Sequence, residues 1–305
     1  MSSITAKKKR TTKPKTFSSH SKCNFYPLLN TDSTPSWPTN HLKKFNKESK
    51  SSNNCSKKVA VLVQTGAYSP IHLGHVQVME KAKITLETYG WNVLGGWLSP
   101  SHDYYVGPKA RQFKTPFVNA EHRVKMVELA TSEYDWLAVG TWEARRESSW
   151  PDFPIVCRNL SSHLNTLLSD LSLPNVTVFY VCGSDHALKC GLKGWKNNEL
   201  GLVVVARNGK SIKNKTDPEK YVYWCESDGQ LSSASSTKLR HAIQKNNIKD
   251  LSLLTNPSVI DYMIEHNLYG ASSMRTIATT TSTMMTTRTT TTDEPSTTTT
   301  TVSDV

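Results

Sequence analysis

Residues Val59 to Val63 read Val-Ala-Val-Leu-Val, and the chain then runs Gln64-Thr65-Gly66-Ala67-Tyr68-Ser69-Pro70-Ile71-His72-Leu73-Gly74-His75. A short, continuously apolar run suits a strand buried on both faces, the setting of a central strand in a parallel sheet. Gly66, Ser69 and Pro70 mark a turn directly after it. Val76, Met79, Ala82 and Leu86 then recur at helical spacing, and Gly90 supplies the stop. A buried strand leading through a tight turn into a helix commits the chain to an α/β fold, because such a strand needs parallel neighbours and helices over both faces.

The following segments keep that alternation. Trp91 to Leu98 predicts a second strand, and Asn119 caps a helix to about Thr131. Trp136 to Gly140 predicts a third strand, and Ile155 to Leu171 a helix ended by Pro174. Val176 to Cys182, Leu200 to Ala206 and Tyr221 to Cys225 predict three more strands. Helices opening at Ser235 or Ser236 and at Pro257 close the pattern near Gly270. Between the second strand and the Asn119 helix, Ser101 to Val118 reads as a long polar loop carrying Lys109, Arg111 and Lys114. The expected architecture is α/β, a Rossmann-like, doubly wound parallel sheet in a single domain, 58–270. Ligands of such sheets bind beyond the carboxyl ends of the strands, where the strand order reverses.

Composition sets the limits of that domain. Residues 1–57 are rich in Ser, Lys, Asn and Pro, with twelve Lys or Arg against Asp32 and Glu48, and 271–305 are mostly Thr. Neither segment carries enough apolar surface to offset the entropy of ordering it, so both are expected to be disordered tails. The chain's net charge of +12 belongs mainly to the first tail, and the mildly basic core gives no expectation of a specific nucleic-acid partner. Lys7-Lys8-Lys9-Arg10 reads as a nuclear localisation signal or a solvated tail; nucleus or cytoplasm is expected over mitochondrion, whose leaders favour Arg. No apolar signal region follows these charges and no membrane span is expected. The six cysteines are scattered without CxxC spacing, which argues for free, buried thiols and against a structural metal.

Two clusters carry chemistry. In the first, a glycine lets the backbone approach a ligand. The helix amino terminus presents free N–H groups to an anion, and His72 and His75 share one face of its first turn. Imidazoles so placed donate hydrogen bonds to phosphate oxygens as charge builds, and Gly74 between them leaves room for a nucleotide. In the second, Ser235-Ser236-Thr237-Lys238-Leu239-Arg240 puts hydroxyls at a helix start and two cations within a turn, an anion cradle that also serves as an ordinary cap.

HxGH with a downstream SSTxxR resembles the HxGH-type nucleotidyltransferase superfamily. Gly96-Trp97-Leu98-Ser99-Pro100, His122-Arg123 with the helix to Ala130, Thr141-Trp142-Glu143, Gly183-Ser184-Asp185 and Tyr262 to Tyr269 follow in the order seen in nicotinamide mononucleotide adenylyltransferases. The resemblance spans about 58–270. It implies that the 5′-phosphate of a mononucleotide attacks the α-phosphorus of ATP, giving NAD or its deamido form and pyrophosphate. It implies catalytic roles for His72, His75 and Arg240. It implies ATP binding along Gly66, Ala67, Tyr68, Gly183, Asp185 and Arg207 and through Ser235, Ser236 and Thr237. Lys109 or Arg111 would reach the acceptor phosphate, Trp142 would stack on the nicotinamide ring, and Trp195 would line the pocket. Magnesium (Mg2+) is expected with ATP, held by phosphates and water with no dedicated carboxylate cage. The expected partners are ATP and the mononucleotide; a homo-oligomer is compatible with the sequence. Three departures bear on the acceptor: His72 is present where eukaryotic members usually lack it, 101–118 has no run of lysines, and Ser184 stands where Ala is common.

Competing readings fare less well. Asn208-Gly209-Lys210-Ser211 ends like a P-loop, but Val204 occupies the position of the first glycine. A class I aminoacyl-tRNA synthetase would need an anticodon domain. A cytidylyltransferase with another phosphorylated acceptor is set against Trp142 and the His122-Arg123 helix. A silent nucleotide-binding protein is set against the intact His72, His75, Thr237 and Arg240.

Overall fold

The computed structural model describes residues 36–40, 58–147, 149–170, 175–206, 215–226 and 233–271. Six strands form one parallel sheet in the order β3-β2-β1-β4-β5-β6. They are β1 (Val59–Gly66), β2 (Asn92–Pro100), β3 (Leu137–Val139), β4 (Thr177–Gly183), β5 (Gly201–Val205) and β6 (Val222–Cys225). The helices are α1 (Leu73–Thr88), α2 (Asp103–Gln112), α3 (Ala120–Thr131), α4 (Phe153–Asp170) and α5 (Ser184–Lys189), then α6 (Ser236–Gln244), α7 (Ile248–Ser252) and α8 (Pro257–Glu265). The order reverses between β1 and β4, so the open crevice expected for a ligand lies above Gly66 and Gly183.

The apolar run of β1 is buried from Ala60 to Val63, and Val59 is partly buried. Val61 and Val63 point to the α4 side, among Val156, Leu160, Leu164 and Leu168. On α1, Met79, Ala82 and Leu86 are buried. Gly96 of β2 lets α1 come close, since a Cβ there would stand 2.8 Å from Met79 Cε. Among the described residues no helix is long and apolar enough to cross a membrane.

Three expectations are corrected. The loop expected at 101–118 contains helix α2. Gly107 and Pro108 read as breakers, and a proline inside a helix costs about 3 kcal/mol. Tertiary contacts outweigh that cost. His102 Nδ1 caps the helix by accepting from Tyr104 N–H (3.0 Å), and Val106 and Ala110 are buried. Asp103 is gripped from two sides, by Arg123 Nη2 at 2.8 Å and by Ala120 N–H at 3.1 Å. Second, the expected tail 1–57 includes an ordered, packed segment at 36–40, with Trp37 only 5% exposed. A tryptophan in a polar stretch has no periodicity to betray its burial. The remainder of 1–57, and 272–305, lie outside the described residues. Third, Cys157, Cys182 and Cys225 are buried free thiols, whereas Cys190 is exposed.

Candidate active site

The site is built where the turn after β1 meets the start of α6. Ser236 Oγ donates to Pro70 O (2.8 Å), and Arg240 Nη1 donates to Ser69 O (2.7 Å). Arg240 Nη2 also donates to Thr237 Oγ1 (3.2 Å), while Ser235 caps α6 by accepting from Lys238 N–H (3.2 Å). The imidazole turn and the hydroxyl-rich helix start are therefore one rim. Thr255 Oγ1, which donates to Ile71 O (3.1 Å), and Leu73 N–H, which donates to Leu254 O (2.9 Å), tie the same turn down from behind.

Within the rim the two histidines differ. His72 is buried, and its ring lies 3.7 Å from that of His75, centroid to centroid. His75 is half-buried, and its Nδ1 accepts the backbone N–H of His72 (3.2 Å). In neutral His75 the ring proton therefore sits on Nε2. The space over Gly74 holds the His72 ring, 3.1 Å from where a Cβ would stand, so the glycine makes room for that histidine. Tyr68, placed by resemblance along the nucleotide, is buried beneath the turn instead. Its hydroxyl donates to the Gln64 carbonyl (3.0 Å), and its ring packs edge-on against His75 at 4.9 Å. Its backbone takes a φ of 43°, and burial raises its phenol pKa well above the ordinary value.

Two cavities open from this rim. The first, about 560 Å3, lies between α2 and α6; the hydroxyls and cations Ser69, Lys109, Lys114, Ser236, Thr237, Arg240 and His241 line it together with the apolar Val106, Ala110, Phe113 and Pro116. The second, about 590 Å3, lies over the crevice. It is lined by Gly66, His75, Ser101, Tyr105, Glu143, Trp150, Phe153, Tyr180, Gly183 and His186. Both volumes fall in the range of small-molecule sites. Ala67 and Lys109 line both cavities, so the two meet beside the turn.

The second cavity is aromatic where the first is cationic. Tyr105 stacks on Trp150 (4.7 Å, 18°) and Phe153 on Tyr180 (4.5 Å, 19°). Lys109 Nζ stands over the Tyr105 ring at 5.3 Å. Glu143 is a buried acid of this cavity. Its carboxylate accepts from Ser99 Oγ (3.0 Å), and burial pushes its pKa up to about 8, against the pull of Ser99, Ser101, the Arg123 charge and the His102 backbone. His186 is lowered by burial, with Asp152 opposing and Lys109 adding to the effect. Behind the cavities, buried Arg123 joins three segments. Its Nη1 donates to Ala67 O (2.9 Å), its Nη2 to Ser101 O (2.6 Å) and Asp103, and its Nε to Val118 O (3.1 Å).

The other residues expected at the site are distributed unevenly. Gly66 and Ala67 lie at the crevice with Gly183, while Asp185, one residue beyond buried Ser184, is exposed on α5. Lys109 faces the cavities; Arg111, two residues on, falls on another face of α2 and lines neither. Trp142 lines a separate groove with Trp37 and Asn159, stacks with Trp37 (6.4 Å, 19°) and carries the Arg146 guanidinium 4.7 Å from its ring. Trp195 packs edge-on against Phe153 and Tyr180, behind the cavity wall. Arg207 lies outside the described residues. Sequence reasoning named Lys114 only as a cation of the loop, and missed His241, Tyr105, Trp150 and Phe153. Tyr105, Lys109 and Phe113 recur at a spacing of four, a helical period that Gly107 and Pro108 masked in the sequence.

Residues 63–242 match the cytidylyltransferase-like family, more than half of the chain. The chain belongs to that family. Curated relatives are nicotinamide/nicotinic acid mononucleotide adenylyltransferases. That of Oryza sativa subsp. japonica is 29% identical over 69% of this chain and 86% of its own length, and that of Arabidopsis thaliana 28% over 72% and 93%. A solved Plasmodium falciparum nicotinic acid mononucleotide adenylyltransferase complexed with NaAD is 20% identical over 70% of this chain and 97% of its own, with a TM-score of 0.46. In the cytidylyltransferase-like frame, the paired histidines and the α6 start stand at the carboxyl edge of the sheet, on either side of one turn.

Proposed function

We propose that this protein is a nucleotidyltransferase that moves the adenylyl group of ATP onto nicotinamide or nicotinate mononucleotide, releasing pyrophosphate and forming NAD or its deamido counterpart. The observation that carries the reading is the junction at Ala67 and Lys109, where a cationic cavity and an aromatic one open onto the same imidazole turn. One suits a leaving pyrophosphate, the other a mononucleotide with a planar cationic ring. The names of the curated relatives support the same acceptors.

The chemistry follows from that placement. An oxygen of the acceptor phosphate attacks the α-phosphorus of ATP, a P–O–P linkage forms, and the bond to the β-phosphate oxygen breaks. The nucleophile is already an anion, so positioning and charge stabilisation do the work. His75 Nε2–H donates toward the α-phosphate at the mouth of the crevice, with Tyr68 beneath it and the His72 N–H fixing its tautomer. Thr237, Lys114 and Arg240 receive the charge that grows on the departing pyrophosphate, and Lys109 stands between the two reacting groups. Among the described residues no cluster of His, Cys, Asp or Glu is arranged to hold a metal ion. The donors present suit phosphates. Mg2+ bound to the phosphates of ATP would supply neutralisation of their charge.

Pyrophosphate release from the full chain, with ATP or CTP against a panel of phosphorylated acceptors, tests the reading. Release with ATP and either pyridine mononucleotide is expected. Release only with CTP and a phospho-alcohol overturns the acceptor, and no release with any pair overturns the activity. The Lys7–Arg10 run supports a nuclear or cytoplasmic location, which a fluorescent fusion with that run replaced by Ala tests.

A further inference from the structure

We propose that Trp37, from a segment outside the stretch that matches the family, is a positioning residue for the acceptor cavity, acting through the loop from Gly140 to Glu143. This inference rests on the reading that the aromatic cavity takes the acceptor.

Residues 36–38 are fastened beside β3, the edge strand of the sheet, by contacts that repeat along the segment. Ser36 N–H donates to Thr141 Oγ1 (3.0 Å), and Thr141 N–H donates back to Ser36 O (3.0 Å). Trp37 Nε1 donates to Asn159 Oδ1 on α4 (2.8 Å), and Trp97 Nε1 of β2 donates to Pro38 O (2.9 Å). The Trp37 ring meets Trp97 edge-on at 6.4 Å and lies nearly parallel to Trp142. It fits only because residue 140 is glycine: a Cβ built there would overlap its ring carbons. Gly140 does not have a positive φ, so close approach, and not backbone conformation, accounts for the glycine.

The segment thus clamps Gly140, Thr141 and Trp142 in succession. The next residue is Glu143, whose carboxylate holds Ser99 and faces the acceptor cavity beside Ser101. Displacing the loop moves that wall and leaves the rim formed by Ser69, Pro70, Ser236 and Arg240, which shares no contact with Trp37, in place. The consequence is a selective loss on the acceptor side.

The test uses the full chain. Trp37→Ala should raise the acceptor KM about tenfold and leave the ATP KM within about twofold, a small displacement of a binding wall being enough for that loss. Trp37→Phe, which keeps a ring over Gly140, should recover most of it. Gly140→Ala should reproduce the defect by evicting Trp37, and should add nothing in a Trp37→Ala background, where the space is vacant. Amide hydrogen exchange at Thr141 to Arg146 should speed up in Trp37→Ala while residues 61–65 keep their protection, a readout that needs no turnover. Equal changes in both KM values, additive effects of Trp37→Ala and Gly140→Ala, or unchanged exchange at Thr141 would each overturn the role. If the wild-type chain turns over neither pyridine mononucleotide, the acceptor reading fails, and the exchange result still decides whether Trp37 holds the loop.

Discussion

The two sides of the site are built by different means. The imidazole rim is held by hydrogen bonds to main-chain carbonyls: Pro70, Ser69 and Ile71 each accept from a side chain of the carboxyl-terminal third, and Leu73 N–H donates to Leu254 O. The acceptor wall is held by side chains on one another, Tyr105 on Trp150 and Phe153 on Tyr180, with a buried acid beneath. Main-chain anchoring fixes donors to within a fraction of an ångström, as charge stabilisation at phosphorus requires. A wall of stacked rings fixes shape less strictly and can be altered one side chain at a time. On the proposed reading, the chemistry and the choice of acceptor are thus written into separable parts.

The largest expected effect breaks the rim side of this comparison. His75→Ala removes the donor set in place by Tyr68 and the His72 N–H, and turnover should fall by at least about a hundredfold, on the order of 3 kcal/mol, with an unchanged circular dichroism spectrum. Near-normal turnover in a folded variant would take His75 out of the phosphate site.

An effect on stability marks the acceptor side. Glu143 ionises near 4.5 when free and near 8 in the fold. Below 4.5 it is protonated in both states and its contribution to stability is fully present. As pH rises the unfolded chain gives up this proton while the folded chain keeps it, so stability drains away until the folded value is passed. Glu143→Gln lacks that loss. Its stability relative to wild type should rise by roughly 1.4 kcal/mol for each pH unit across the window between the two values. Urea unfolding at several pH values measures this, and parallel curves for the two proteins would mean that the wall carries no buried acid.

The difference between the regions also explains what could be read from sequence. Each half of the rim is local: strand, glycine, turn and helix start lie within about twenty residues around Gly66, and a capped helix start lies at Ser235, and each leaves a compositional mark, so β1, α1, His72, His75 and the α6 cap were legible. The wall is assembled from separate places. Trp150 and Phe153 come from a loop and a helix start with no motif, and Tyr105 sits on a helix hidden by Gly107 and Pro108. Arg123, twenty residues away, helps hold α2 in place by gripping Asp103. Trp37 is the extreme case, since its burial depends on the missing side chain at Gly140, over a hundred residues later. Local propensity cannot register contacts of that range.

The smallest expected difference sharpens the boundary between the two parts. Lys109 and Arg111 were equal candidates for the acceptor phosphate when 101–118 read as a loop. On a helix they are two positions apart and cannot face the same way. Lys109 stands where the cationic and aromatic cavities meet, with its ammonium over Tyr105, while Arg111 faces away from both. Lys109→Ala should lower kcat/KM about tenfold for both substrates, equivalent to about 1.4 kcal/mol, because one cation serves both reacting phosphates. Arg111→Ala should stay within about twofold of wild type, the size of effect expected of a solvated surface charge. A loss confined to the acceptor would move Lys109 into the wall, and equal losses in the two variants would show that α2 does not present the face assigned to it.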